Sequence, residues 1–79
     1  MPATSASEKF IAGVSEIMDR PVTHEDRIRN DLNATSMQCL MMIAIMEDQG
    51  AGQIEYAQFK KCITIADAIE LMESRINHN

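Results

Sequence analysis

The stretch NDLNATSMQCL (residues 30–40) decides the fold, because a polar loop becomes an apolar helix within it. Thr35 followed by Gln38 has the spacing of a capping box, in which the first residue lies just before a helix and the fourth lies in its first turn. A cap at Thr35 makes Ser36 the first helical residue. We therefore predict that a helix begins at Ser36.

The helix that starts at Ser36 is predicted to extend to about Gln49, and residues 36–46 within it carry no charge. A helix that is apolar on nearly every side is either buried all round or exposes an apolar face that binds something. A chain of 79 residues is too small to surround such a helix completely. We expect part of it to face outward and to meet a partner.

A first helix is predicted over residues 6–18, before that segment. Ser5 followed by Glu8 is another capping-box spacing. Apolar residues follow at helical spacing and form one stripe, and Pro21 ends the helix because a proline disfavours helical angles in the residue before it. The connection that follows, residues 19–34, is long for a compact domain, and loops of this length often have a function.

Ile28 and Leu32 are expected to anchor that loop against the helices. Beyond the second helix, the glycines of QGAGQ break the chain, and a short third helix is predicted over residues 56–60. Thr64 signals the start of a last helix, whose apolar stripe reaches Ile76.

These elements predict an all-α fold, a small four-helix bundle of three main helices and a short third helix, with a long first loop. No stretch is predicted to form a strand. Residues 1–79 are interpreted as a single domain. We expect a loose N-terminus over residues 1–6 and a polar tail over residues 77–79.

The net charge of −5 and the sequence pI of about 4.8 disfavour binding to nucleic acid, which needs a basic surface. The same charge is compatible with docking onto basic protein partners. No stretch approaches the roughly 20 apolar residues of a membrane helix, and no secretory signal pattern is present. We expect a monomeric cytoplasmic protein without membrane insertion, in which Cys39 and Cys62 are reduced thiols.

Neither catalysis nor a metal site is expected. The two histidines, His24 and His78, form no recognisable nucleophile motif with the serines or cysteines. EDQGAGQIEYAQF (residues 47–59) has the rhythm of an EF-hand loop, but Glu47 is the only carboxylate at its first, third, fifth and twelfth positions, and calcium prefers carboxylates there. A degenerate EF-hand-like helical interaction module stays open as an alternative function.

Ser36 has two possible roles. Hydroxyl residues favour the first turn of helices, so Ser36 could simply help to start the helix. Thr35 already supplies the cap, however, and a first helical residue points toward solvent beside unpaired N–H groups and the positive end of the helix dipole, where a phosphate is stabilised. Ser36 is therefore also a candidate to bear a phosphoryl group next to an apolar helix face.

Two stretches at a fixed separation are similar to one protein family. DLNATSM (residues 31–37) resembles the DLGADSL of acyl carrier proteins, in which the serine carries 4′-phosphopantetheine. TIADAIELM (residues 64–72) resembles the family's TVGDAVDYI. The separation of the two stretches, the long first loop and the short third helix also match the family. The chain thus resembles acyl carrier proteins over nearly its whole length.

The resemblance implies that Ser36 is the attachment point of 4′-phosphopantetheine and is not a catalytic nucleophile. It implies a non-enzymatic carrier of acyl thioesters in fatty-acid, polyketide or related acyl metabolism, with a peptidyl or aminoacyl carrier as the alternative. The implied partners are a phosphopantetheinyl transferase and acyl-loading, synthase or ketosynthase-type enzymes. The residues expected to meet these partners are Thr35, Met37, Gln38, Leu40, Met41, Ala44, Glu47 and Asp48.

Several residues depart from the family's pattern. Thr35 stands where the family usually has Asp, and Asn33 replaces a Gly, a mild change because Asn tolerates left-handed backbone angles. Gln38 and Met41 occupy positions that are often acidic in fatty-acid carriers, and Gly50 replaces a Phe. Fewer acidic residues on the face that partner enzymes usually read indicate a specialised carrier with its own partner set.

Overall fold

The structure, a computed structural model, describes residues 5–77. A π-helical turn (Glu47–Ala51) follows the second of its helices, and the residues described form no strand beyond an isolated bridge. The α-helices are α1 (Ala6–Met18), α2 (Ser36–Met46), α3 (Tyr56–Lys60) and α4 (Ile65–Ile76). The predicted all-α bundle, with three main helices, a short third helix and a long first loop, is confirmed.

Parts of both predicted termini, including His78, lie outside the described residues. Ser5 is the N-cap of α1 and Ala6 is its first residue, so the helix begins within the segment predicted to be loose. At the other end, Asn77 caps α4 through an N–H that donates to the Glu73 carbonyl at 2.9 Å. Within residues 5–77, no helix combines the length and the apolar character needed to cross a membrane.

Capping boxes begin α1, α2 and α4 at the positions expected from the sequence. In α1 the Glu8 N–H donates to Ser5 Oγ at 3.2 Å, and the Ser5 N–H donates to Glu8 Oε1 at 3.1 Å. In α4 the Asp67 N–H donates to Thr64 Oγ1 and the Thr64 N–H donates to Asp67 Oδ2, each at 3.1 Å. Each box satisfies two N–H groups that would otherwise lack a partner at the helix start.

α2 ends earlier than predicted. Its α-helical span ends at Met46 rather than at Gln49. The Glu47 N–H still donates to the Ile43 carbonyl, and the π-helical turn follows. Within that turn Gly50 has a φ of +101°, a conformation that glycine adopts without a steric penalty. The turn redirects the chain so that Ile54 returns to the core, where it is buried.

The core is aliphatic and rich in methionine, with side chains from every helix in one cluster. Met42, Met46 and Met72 are fully buried, and their flexible side chains fill irregular space between the helices. Gly13 lets α1 approach α2, because a Cβ atom there would lie 2.6 Å from Ile45 Cδ1. The largest fully buried side chains are Phe10, Phe59, Ile28, Met42, Met46, Ile65, Met72 and Val14.

The long first loop is tied to the bundle by side chains and by backbone. Ile28 and Leu32 are buried, which confirms them as the predicted anchors. The Ile28 N–H donates to the Ile63 carbonyl at 2.9 Å, and the Ile65 N–H donates to the Asp26 carbonyl at 2.9 Å. This pairing, which we call the loop ladder, joins the loop to the segment that leads into α4. The sequence did not predict it.

Candidate functional site

Ser36 is the first residue of α2, and its side chain is exposed. The cap of the helix is made by its neighbour. The Gln38 N–H donates to Thr35 Oγ1 at 3.1 Å, and the Thr35 N–H donates to Gln38 Oε1 at 2.9 Å. This is the predicted capping box, and it does not use the Ser36 hydroxyl. Chemistry at the Ser36 oxygen would therefore leave the cap intact.

The backbone just before Ser36 is held in place. Asn33 has a φ of +53°, in the left-handed region that Asn tolerates better than most residues. The Asn33 N–H donates to the Arg29 carbonyl at 3.0 Å, and the Ala34 N–H donates to the Ile28 carbonyl at 3.1 Å. Because Ile28 is buried, these bonds position the Ser36 hydroxyl relative to the core.

The outward face of α2, which we define as Met37, Leu40, Met41 and Ala44, is apolar and exposed. The exposed fractions are 68% for Met37, 50% for Leu40 and 46% for Met41. α2 has no charged residue on any side. Large apolar side chains exposed side by side are typical of surfaces that contact another molecule. The prediction that part of this helix faces outward is confirmed, and the face begins immediately after Ser36.

The polar residues predicted to meet partners lie near the two ends of α2, Thr35 and Gln38 at its start and Glu47 and Asp48 in the turn after it. Gln38 is half-buried and belongs to the capping box. Glu47 and Asp48 are exposed, but they lie in the π-helical turn at the far end of α2. A helix of 11 residues separates them from Ser36 by about 16 Å. Glu47 Oε2 also accepts from the Ile54 N–H at 3.2 Å, so its carboxylate holds the turn.

One side chain of α3 that the sequence analysis missed, Tyr56, lies beside Ser36, and a second, Lys60, lies against the Tyr56 ring. The Tyr56 hydroxyl is 3.4 Å from Ser36 Oγ, and Lys60 Nζ lies 5.8 Å from the centroid of the Tyr56 ring. The first distance exceeds the about 2.5–3.0 Å of an ordinary O–H···O bond, so the contact leaves the serine hydroxyl free to react. The sequence signal that could have pointed to this pair was the four-residue spacing of Tyr56 and Lys60, which places them on one helix face.

The thiol nearest to Ser36 in the sequence is not suited to nucleophilic chemistry. Cys39, the fourth residue of α2, is buried and free. Burial raises the pKa of the Cys39 thiol, and the positive charge of Arg29 opposes this rise without cancelling it. Cys62 is half-buried and free, and burial raises the pKa of its thiol as well. A thiol that stays protonated is a weak nucleophile.

The EF-hand-like stretch does not form an EF-hand loop. Its first five residues, Glu47–Ala51, form the π-helical turn, in which Gly50 has non-helical angles, whereas calcium in an EF-hand is surrounded by an open loop of about 12 residues. Among the residues that the structure describes, no three His, Cys, Asp or Glu side chains are grouped so that they could hold a metal ion. The degenerate EF-hand-like interaction module, which would bind no calcium, stays an alternative hypothesis.

Comparison with known protein families and with curated protein sequences finds no match to this chain. The resemblance to acyl carrier proteins therefore rests on the two sequence stretches and their separation.

Proposed function

We propose that the protein carries acyl groups as thioesters on a 4′-phosphopantetheine arm attached to Ser36. The observation that carries the proposal is an exposed Ser36 hydroxyl that the α2 cap does not use. It lies at the edge of the outward face of α2. The similarity of DLNATSM to the attachment motif of acyl carrier proteins supports the same residue. When bound, the arm supplies the thiol that holds the acyl group.

The residues around Ser36 fit the negative charge of a phosphodiester. The N-terminal end of a helix favours an anion, because its N–H groups and its dipole both point toward it. The first turn of α2 contains no acidic residue, and Thr35 supplies a neutral cap. Lys60 adds a positive charge beside Tyr56, whose ring it lies against and whose hydroxyl contacts Ser36.

Attachment requires a separate transferase that uses coenzyme A. The Ser36 oxygen forms a bond to the phosphorus that bears the pantetheine, and the P–O bond to the adenosine bisphosphate breaks. The serine proton passes to a base of the transferase, and magnesium bound there offsets the charge of the diphosphate. The carrier contributes a hydroxyl at a defined position and a surface for docking.

The outward face of α2 is the docking surface in this proposal. The transferase and the acyl-loading, synthase or ketosynthase-type enzymes would contact Met37, Leu40 and Met41 at the centre, where partner interfaces are depleted in charge. Glu47 and Asp48 would lie at the rim, where charges steer association. The proposed setting is the cytoplasm, in fatty-acid, polyketide or related acyl metabolism.

Intact-mass analysis after incubation with coenzyme A, magnesium and a permissive phosphopantetheinyl transferase tests the proposal. We expect the wild-type protein to gain the mass of one phosphopantetheinyl group. Ser36→Ala should abolish the gain completely. Ser74→Ala is the matched control, because Ser74 is an exposed serine in α4, and this variant should gain the same mass as the wild type.

A wild-type protein that gains no mass with several transferases, or a Ser36→Ala variant that still gains mass, contradicts the proposal. Circular dichroism of Ser36→Ala separates loss of the hydroxyl from loss of the fold. The intact mass of protein purified from its own host would report the arm and the acyl cargo in one spectrum.

A further inference from the structure

Tyr56 and Lys60 lie on one face of α3, and the Tyr56 hydroxyl approaches Ser36 from outside α2. Tyr56 begins α3 and Lys60 ends it, and residues four positions apart are neighbours on a helix surface. The Tyr56 hydroxyl contacts Ser36 Oγ at 3.4 Å, and Lys60 Nζ lies 5.8 Å from the Tyr56 ring centroid. A hydroxyl donor thus stands next to the proposed attachment point, and a cation stands next to the ring that carries this hydroxyl.

Lys60 also lines a notch between the first loop and α3. The notch has a volume of about 260 Å³ and is lined by Arg27, Arg29, Asn30, Lys60, Cys62 and Ile63. None of the described acidic residues lines it, although the chain has a net charge of −5. Arg27 forms an ion pair with Asp31 at 3.2 Å, so Arg29 and Lys60 are its main sources of positive charge.

We propose that Tyr56 and Lys60 bind the phosphodiester on Ser36 and direct the arm into this notch. The inference rests on the proposed function. A phosphorus bonded to Ser36 Oγ carries oxygens that extend beyond Oγ, so they come closer to the Tyr56 hydroxyl than Oγ itself does. A hydrogen bond to a charged acceptor is shorter and stronger than one between neutral groups. Lys60 adds a Coulomb attraction, which salt weakens because the site is at the surface.

The chemistry of the notch matches the next part of the arm. Phosphopantetheine has an apolar dimethyl group close to its phosphate, followed by two amides. Ile63, which is 63% exposed, offers an apolar contact at the notch, and Asn30 offers a side chain that can donate to and accept from an amide. An arm held in this way would leave the outward face of α2 free for partner enzymes.

Nuclear magnetic resonance of the arm-bearing protein tests the inference. Tyr56 is the only tyrosine and the chain has no tryptophan, so its ring signals are easily assigned. We expect cross-relaxation between the Tyr56 ring protons and the dimethyl protons of the arm. We also expect the ³¹P resonance to shift in Tyr56→Phe, which removes only the hydroxyl, and in Lys60→Met, which removes only the charge.

Lys61→Met is the matched control. Lys61 is exposed and adjacent to Lys60, but it lines a different cavity together with Asp67 and Glu70, so this variant should keep the wild-type ³¹P resonance. If the arm is attached and neither Tyr56→Phe nor Lys60→Met shifts the ³¹P resonance, the inference is overturned while attachment at Ser36 stands. If the mass spectrum shows no attachment, both the inference and the proposed function are overturned.

Discussion

α2 and α4 begin in the same way and present different outer faces. Each helix follows a threonine. The Oγ1 atom of that threonine accepts a hydrogen bond of 3.1 Å from the backbone N–H of the third helical residue. The next residue is the exposed Ser36 in α2 and the fully buried Ile65 in α4. The exposed residues of α4 include Asp67, Glu70 and Glu73, whereas those of α2 include Met37, Leu40 and Met41.

In both helices, the residues that start the helix are different from the residues that determine what its outer face contacts. The capping box determines where each helix begins, and its third helical residue is Gln38 in α2 and Asp67 in α4. The first helical residue and the outward side chains are then free to differ. In α4 the first helical residue completes the core and the outward side chains face solvent, which is the ordinary pattern for an amphipathic helix. In α2 they expose a hydroxyl and an apolar surface.

The largest expected effect distinguishes the inner and outer sides of α2. Met42→Ala should lower the free energy of unfolding by about 2–5 kcal/mol, because it leaves a cavity in the core. Met41→Ala should change it by about 0.5 kcal/mol or less, because Met41 is 46% exposed. Urea denaturation measures both. Equal losses would mean that the outward face contributes to the core, and the comparison with α4 would fail.

The chain also leaves α2 and α4 in different ways, because a turn containing Gly50 follows α2. Gly50→Ala tests this difference. Gly50 has a φ of +101°, so an alanine there should cost about 1–2 kcal/mol. The C-cap of α4 is Asn77, whose φ of −87° is compatible with any residue, and Asn77→Ala should cost much less. Thermal unfolding of both variants checks the difference. A Gly50→Ala variant as stable as the wild type would mean that the π-helical turn does not depend on glycine.

The cap assignment predicts that Thr35→Ala lowers the free energy of unfolding by about 1 kcal/mol, as Thr64→Ala should for α4. Ser36→Ala should change it by no more than about 0.5 kcal/mol, because the Ser36 hydroxyl takes no part in the cap. Chemical denaturation of the three variants measures these differences. If Ser36→Ala were as destabilising as Thr35→Ala, then Ser36 would be needed to start the helix.

The smallest expected effect is a difference in pH dependence between the two caps. Hydrogen bonds from the backbone N–H groups of Thr64 and Ile63 lower the pKa of Asp67. A carboxyl with a lowered folded-state pKa contributes its stability above the unfolded pKa of about 3.9, and the contribution is lost as the pH falls through the lower folded value. Gln38 does not titrate, so the α2 cap should keep its strength in acid.

Amide signals report this difference. The Thr64 N–H resonance should move as the pH falls below about 4, and Asp67→Asn should abolish that movement. The Thr35 N–H resonance should not report a titration of its own cap, but Gln38→Glu should introduce one. Matching acid responses of the two amides in the wild-type protein would contradict the assigned bonds.

Local sequence signals predicted the beginnings of the main helices. Ser5, Thr35 and Thr64 each cap a helix with a partner three residues later, and this geometry depends on neighbouring residues alone. The exposed side of α2 was also predictable, since an apolar helix in a short chain cannot be buried all round. Asn33 has the left-handed angle that its side chain tolerates.

The features that the sequence did not predict depend on long-range packing. The contact of Tyr56 with Ser36 exists because α3 docks beside α2, and residues 20 positions apart carry no local sign of it. The early end of α2 at Met46 reflects how the π-helical turn returns Ile54 to the core. The notch between the first loop and α3 likewise combines Arg29 from the loop with Lys60 from α3.

The loop ladder has a consequence for the order in which the chain folds and opens. It joins Ile28 to Ile63 and Asp26 to Ile65, segments on the order of 40 positions apart, and closing so long a stretch of chain has an entropic cost. The ladder should therefore form late, after α1 and α2 have packed together. In native-state hydrogen exchange the Ile28 and Ile65 amides should open together, so the long loop and the start of α4 behave as one cooperative unit.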